Sequence, residues 1–194
     1  QLLDKWRSRV FLIDAWKQYN DNCSQFIQAS IDTYCERQID VLNWRGDIEW
    51  KNLLISLEKE IENLIHAETE LSEFLIARTC LSSLKEGDQF IIGNSMPIRY
   101  VDMFTSTSDV KIKIYANRGA SGIDGLISTG LGVAKGKDSQ RSLLLIGDLS
   151  FYHDMNGLLA SQHGMDLTII VINNGGGGIF SFLPIANTGM DTFS

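Results

Sequence analysis

Proline is nearly missing from this chain, with Pro97 and Pro184 alone among 194 residues. No Pro-rich linker, low-complexity stretch or internal repeat marks it. Cysteine is as scarce. Cys23, Cys35 and Cys80 are odd in number, far apart and without C-x-x-C or metal spacing, so a disulfide framework is excluded and they read as buried or incidental thiols of a reducing compartment. His66, His153 and His163 are not at zinc-ligand spacing. No run approaches the ~18 uninterrupted apolar residues of a membrane span, and Gln1 opens neither a signal nor a transit peptide. A soluble, cytoplasmic protein is expected. Basic residues are outnumbered, 17 Lys and Arg against 24 Asp and Glu, for a net charge of −7. This disfavours nucleic acid and anionic membrane surfaces as partners, so any anion site depends on local arginines and backbone amides. Two glycine motifs also fail. Gly130, Gly132 and Gly136 lack the dinucleotide spacing and lie within or after a helix, and Gly136-Lys137 has no glycine five residues before it to make a P-loop.

What is present is a hydrophobic fraction of 44%, that of a globular protein with room for one good α/β core. Residues 10–13 form a short apolar strand candidate, 14–30 are polar and aromatic, and 29–35 lead into a short helix. One strand and little helix cannot close a core over ~40 residues, so this segment reads as the tail of a domain that begins outside the chain. Leu53, Leu54, Leu57, Ile61, Leu64 and Ile65 then recur at helical spacing, and a second helix is predicted over 71–84. Strands follow at 89–92, 111–115, 143–146 and 167–172, with helices at 126–134 and 155–162. This alternation predicts an α/β fold, a mostly parallel sheet with helices on both faces.

In each case a polar or glycine cluster follows the strand, so Ser95, Arg118, Asp148 and Asn174 are expected on one rim, where open α/β sheets bind ligands. The segment from Gly147 to Phe180 carries most of the chemistry: GDLS closes one strand and NNGGGGIF the next. A lone Asp or Asn at a strand end is ordinarily a solvated turn residue. Asp148 and Asn174 are 174 − 148 = 26 residues apart, room for a crossover helix and a parallel return strand, and four glycines follow. Magnesium takes hard oxygens and keeps some from phosphate and water, so Asp148, Asn174 and the Gly176 carbonyl suit a metal diphosphate. The glycine run allows close approach of the main chain to phosphate, and a helix opened by Ile179-Phe180 is expected to aim free amides at it.

GDLS followed by NN resembles the thiamine diphosphate-binding signature. GNSMPIR at 93–99, NRGASGIDG at 117–125 and IFSFLP at 179–184 are similar to the 2-succinyl-5-enolpyruvyl-6-hydroxy-3-cyclohexene-1-carboxylate synthases of menaquinone biosynthesis. The resemblance runs in order over residues 90–184, and residues 11–35 also resemble the end of that family's central domain. It implies an incomplete thiamine diphosphate-binding fold. Residues 1–45 would be the tail of the central domain, 46–85 a helical connector, and 86–194 the cofactor domain, truncated at its C-terminus.

The resemblance also implies roles. Asp148, Asn174 and Gly176 would hold magnesium or manganese. Asn94, Ser95, Ile123, Gly147, Asp148, Leu149, Ser150, Asn174, Gly176, Gly177 and Ile179 would contact thiamine diphosphate, with Ile123 wedged between its rings. Ser95, Arg99, Arg118, Ile179, Phe180 and Leu183 would meet the substrates 2-oxoglutarate and isochorismate, both dicarboxylates suited to guanidinium forks. The implied reaction decarboxylates the first and adds the succinyl carbanion to the second. Its activating glutamate lies on a neighbouring subunit's amino-terminal domain, which no segment here matches, so a homodimer or homotetramer is implied. Gly175 stands where the family usually has Asp or Asn, and Tyr100 where it often has Asp. Two alternatives stay open: a catalytically silent cofactor-binding or assembly module, and another thiamine diphosphate enzyme such as an acetolactate synthase relative.

Overall fold

The structure is a computed structural model that describes residues 10–16, 23–39, 46–105, 110–136, 141–161 and 165–184. Two compact units divide the chain, Gln1–Glu58 and Lys59–Ser194.

In the first unit, strands β1 (Phe11–Asp14) and β2 (Gln25–Gln28) pair in parallel, with Phe11 opposite Gln25 and Ile13 opposite Ile27. Helix α1 (Ile31–Ile39) follows, its first turn closed by the Ser30 hydroxyl, which accepts from the Thr33 N–H at 3.2 Å. The sequence predicts one strand here, and β2 is a second. Its four residues, QFIQ, have too little alternation to announce a strand, and only pairing with β1 makes them one. None of the described residues of this unit is buried. Helix α2 (Ile48–Ala67) begins in this unit, with Asp47 Oδ1 accepting from the Glu49 and Trp50 N–H groups at 2.9 and 3.3 Å. None of its twenty residues is buried either. No helix among the described residues is long and apolar enough to cross a membrane.

The second unit is built on a four-stranded, wholly parallel sheet: β3 (Gln89–Ile92), β4 (Lys113–Tyr115), β5 (Ser142–Gly147) and β6 (Leu167–Ile172), in the order β4-β3-β5-β6. Among the described residues four further α-helices accompany it, α3 (Glu73–Ser82), α4 (Met96–Phe104), α5 (Leu126–Ala134) and α6 (Asp148–Asp154), with 3-10 segments at Met155–Ala160 and Gly178–Phe182. The predicted bounds of α5 and β6 hold unchanged. The helix expected over 155–162 instead starts on Asp148 and tightens at Met155; Gln162 and His163 lie outside the described residues.

Strands β3 and β5 are buried on both faces, which is why they read as unbroken apolar runs. Phe90, Ile92, Leu143 and Leu145 pack with Ala77, Cys80 and Leu84 from α3 and its end and Val101 from α4. Alternate residues Ile91, Leu144 and Ile146 pack on the other face with Leu126, Ile127 and Leu131 of α5. Helices therefore cover both faces, as the alternation predicts. At the entry end of the strands, the Arg141 guanidinium donates to Asp88 Oδ2 from Nε and Nη2 at 3.1 and 2.6 Å, and the Lys85 N–H adds a third bond at 2.8 Å. Burial works against the Asp88 charge, but these donors together hold its carboxyl below the usual carboxylate range.

β3 is followed by β4 on one side of it, and β5 by β6 on the other. The two connections diverge between β3 and β5, opening a crevice beyond their carboxyl ends, the place where such sheets take ligands.

Candidate functional site

Gly93, the residue after β3, shows how tightly that crevice is closed underneath. Its N–H donates to the Leu145 carbonyl at 2.8 Å, and a Cβ there would lie 2.9 Å from Ile146 Cγ2. Asn94 follows, 1% exposed. Its Nδ2 donates to the carbonyls of Asn117 and Gly122 at 2.9 and 2.6 Å, and its Oδ1 accepts from Arg118 Nη1 at 2.9 Å. One buried amide thus ties the loop after β4 to the end of β3 and aims an arginine. Ser95 has φ 70° and ψ −131°, a conformation that costs a non-glycine residue of order 1–3 kcal/mol. Its carbonyl accepts from Arg99 Nη1 at 2.6 Å, on the first full turn of α4. That helix opens with Pro97 in its first turn, where the missing N–H costs nothing.

Asp148 is the first residue of α6, where a carboxylate is favoured by the helix dipole. Its Oδ1 accepts from the Leu149 N–H at 2.7 Å, and an ionised carboxylate keeps acceptor sites beyond that bond. Across the crevice, Gly175, Gly176 and Gly177 have φ of 83°, 93° and 55°. Three successive left-handed residues require glycine or its nearest substitutes, Asn and Asp. Nothing lies within 4 Å of a Cβ at Gly175, so no neighbour packs on that position. Asn174 Oδ1 accepts from the Gly176 N–H at 3.3 Å, and its Nδ2 donates to Glu73 Oε1 at 2.8 Å.

These residues surround a cavity of about 370 Å³, within the range of small-molecule sites. The structure brings Ser95, Arg99, Arg118, Ile123, Gly147, Asp148, Leu149, Ser150, Asn174, Gly177, Ile179, Phe180 and Leu183 to its wall. Two sequence-predicted residues do not line it. Asn94 stands behind the wall and acts through Arg118, and Gly176 lies against Leu149, whose Cδ2 is 3.5 Å from where its Cβ would be. The helix expected from Ile179 is a five-residue 3-10 turn, Gly178–Phe182, in which the Phe180 N–H already bonds to the Gly177 carbonyl. Pro184 explains the early stop, because the residue before a proline is driven to extended backbone and Leu183 has φ −106° and ψ 156°.

Glu73 and Tyr100 also line the cavity, and sequence reasoning assigned a role to neither. Glu73 is the first residue of α3, after the Ser72 cap, and nothing in its neighbourhood connects it with Asn174. Burial, and then a hydrogen bond to the Glu73 carboxylate, push the Tyr100 phenol above its ordinary pKa, so Tyr100 is the donor in that pair. Among the described residues no group of three or more His, Cys, Asp or Glu converges as a metal site. Besides Glu73, which is bonded to Asn174, the wall offers the Asp148 carboxylate, the Asn174 amide oxygen and backbone carbonyls, the oxygen set of a hard cation that shares its coordination with a phosphate.

No family model matches the chain. It is 51% identical over 146 residues to the 2-succinyl-5-enolpyruvyl-6-hydroxy-3-cyclohexene-1-carboxylate synthase of Listeria monocytogenes serotype 4b (strain F2365), covering 73% of this chain and 25% of that protein. The proteins of the same name from Oceanobacillus iheyensis and Bacillus cytotoxicus are 39% and 38% identical over 175 and 192 residues. Those matches cover 88% and 95% of this chain, and 30% and 32% of the relatives. The chain thus spans between a quarter and a third of the length of these curated relatives.

Proposed function

From the similarity of this chain to one part of the 2-succinyl-5-enolpyruvyl-6-hydroxy-3-cyclohexene-1-carboxylate synthases, we propose that it is the cofactor-holding part of such a synthase in menaquinone biosynthesis. In this reading residues 1–45 are the tail of a central domain, 46–85 lead out of it, and 86–194 hold thiamine diphosphate with magnesium or manganese. The observation that carries the proposal is the meeting of Asp148, Asn174 and the left-handed glycine loop across one cavity at the sheet's switch point.

The donor set fits the cofactor. Asp148 and the Asn174 amide oxygen, with the Gly176 carbonyl, would hold the metal against the diphosphate, and the side-chain-free loop lets the main chain approach it. When bound, thiamine diphosphate supplies the electron sink for decarboxylation of a 2-oxo acid. The chain's own residues position and neutralise. Ile123 supports the cofactor rings, and Arg99 and Arg118 bind carboxylates of 2-oxoglutarate and isochorismate. Asn94 holds Arg118 by accepting from it, so the guanidinium is aimed before any substrate arrives. Ile179, Phe180 and Leu183 close the apolar side and keep water from the reacting carbon. The glutamate that activates the cofactor comes, in this reading, from the amino-terminal domain of a neighbouring subunit in a homodimer or homotetramer.

Melting temperatures with thiamine diphosphate alone, magnesium alone and both together test the proposal. Both ligands, at ~100 times the dissociation constant, are expected to add about 2.7 kcal/mol, a rise of roughly 5–11 °C for a chain of this size. Asp148→Ala removes that rise. A rise that is equal without metal, or that survives in Asp148→Ala, refutes the metal assignment, and no rise at all refutes cofactor binding by this chain.

A further inference from the structure

We propose that Glu73 is a positioning residue that fixes which way the Asn174 side-chain amide faces, so that its oxygen is presented to the metal and its nitrogen turned away. The proposal rests on the cofactor-binding reading above and adds a residue to it. A carboxylate only accepts hydrogen bonds, so the group that Asn174 turns toward Glu73 must be its NH₂, seen as the 2.8 Å bond from Nδ2 to Oε1. The amide oxygen is thereby turned to the glycine loop, where it accepts from the Gly176 N–H and retains a second lone pair.

An amide's oxygen and nitrogen are nearly the same size, so packing alone cannot choose between the two orientations. The choice is made by bonding partners. A reversed Asn174 would point N–H groups, with their partial positive charge, at a cation. Gly178 supports the observed orientation from the other side. A Cβ there would lie 2.6 Å from Asn174 Nδ2, so the missing side chain makes the space the NH₂ fills. Tyr100 lines the cavity beside the same Glu73 carboxylate, whose charge helps keep its phenol protonated. Both residues line the cavity, so the bracket stands at the site itself. Ligands held by such outer partners typically lose 10–100-fold in metal affinity when the partner is removed.

Glu73→Asp and Glu73→Gln in the full chain separate this role from helix capping. The Asp variant keeps an acid in the first turn of α3 but is one methylene too short to reach Asn174; the Gln variant keeps the reach and offers a neutral acceptor. Magnesium is titrated calorimetrically at saturating thiamine diphosphate, and the Asn174 side-chain NH₂ signals are followed by NMR without metal. We expect Glu73→Asp to bind magnesium at least ~10-fold more weakly, Glu73→Gln to lose less, and the Asn174 signals to move in Glu73→Asp. Wild-type magnesium affinity in a folded Glu73→Asp chain, or unmoved Asn174 signals, overturns the proposal while leaving the cofactor site standing. If the wild-type chain itself shows no magnesium-dependent binding, the functional reading fails, and the metal role of Glu73 fails with it.

Discussion

Replacing Gly93 by alanine adds one methyl group at the floor of the crevice, and the structure gives it no room. Its Cβ would lie 2.9 Å from Ile146 Cγ2, 3.0 Å from the Leu145 carbonyl oxygen and 3.2 Å from Ile146 Cα, where ordinary contact begins at 3.4 Å. Two of those three atoms are main chain of β5, which cannot rotate aside, and the third belongs to a β-branched side chain. The strands must part, straining the bond from the Gly93 N–H to Leu145. Overpacking of this kind costs about 1–3 kcal/mol, or a fall of roughly 2–12 °C in melting temperature at 2–4 °C per kcal/mol. Gly132 is the internal control. It lies within α5, exposed, with nothing within 4 Å of a Cβ, so Gly132→Ala should gain about 0.4–1 kcal/mol by restricting the unfolded chain. Calorimetric melts of the two variants should therefore move in opposite directions. A Gly93→Ala chain that melts with or above the wild type refutes the close approach of β3 to β5.

The Asp88 carboxylate predicts an acid sensitivity. Because its folded pKa is lowered, its contribution to stability is complete above about pH 4 and is lost as acidification carries it through that lowered value. Arg141→Ala should cost about 2 kcal/mol at neutral pH, and denaturant titrations should show the gap to wild type closing below pH 4; a constant gap would disprove the linkage. Cys80 is 3% exposed, with its thiol pushed up by burial to about 11, whereas Cys35 is exposed. Mass spectrometry after brief alkylation at neutral pH should find Cys35 labelled and Cys80 modified only as the chain unfolds; rapid labelling of Cys80 in the folded chain would contradict its packing under β3.

The sheet of the second unit was legible because β3 and β5 are buried on both faces and β6 keeps its apolar run, so local composition already carries the tertiary arrangement. The convergence of Ser95, Arg118, Asp148 and Asn174 followed from the parallel rule, which puts every strand's carboxyl end on one rim. Less could be read where a partner decides the conformation. β2 exists through its ladder with β1, and the 3-10 turn at Gly178 is shortened by a proline six residues on. Pro97 could have announced α4, since a proline in a helix's first turn is a known start signal. Asn94 stands behind the cavity wall, where its amide satisfies two part-buried carbonyls and an arginine brought to it from remote sequence. Glu73 had no local signal at all.

The bond between Glu73 and Asn174 closes a loop of 101 residues, and the cavity wall is gathered from four strand ends that are remote in sequence. Closing loops of that length must be offset by many contacts at once, so the cavity takes shape only when the parallel ladder is already registered. A molecule seated there holds together segments from Glu73 to Leu183 that are remote in sequence. Its presence should thus be felt as slower amide exchange along β3, β5 and β6 together, as global opening is suppressed, and not as a quieting of the rim alone.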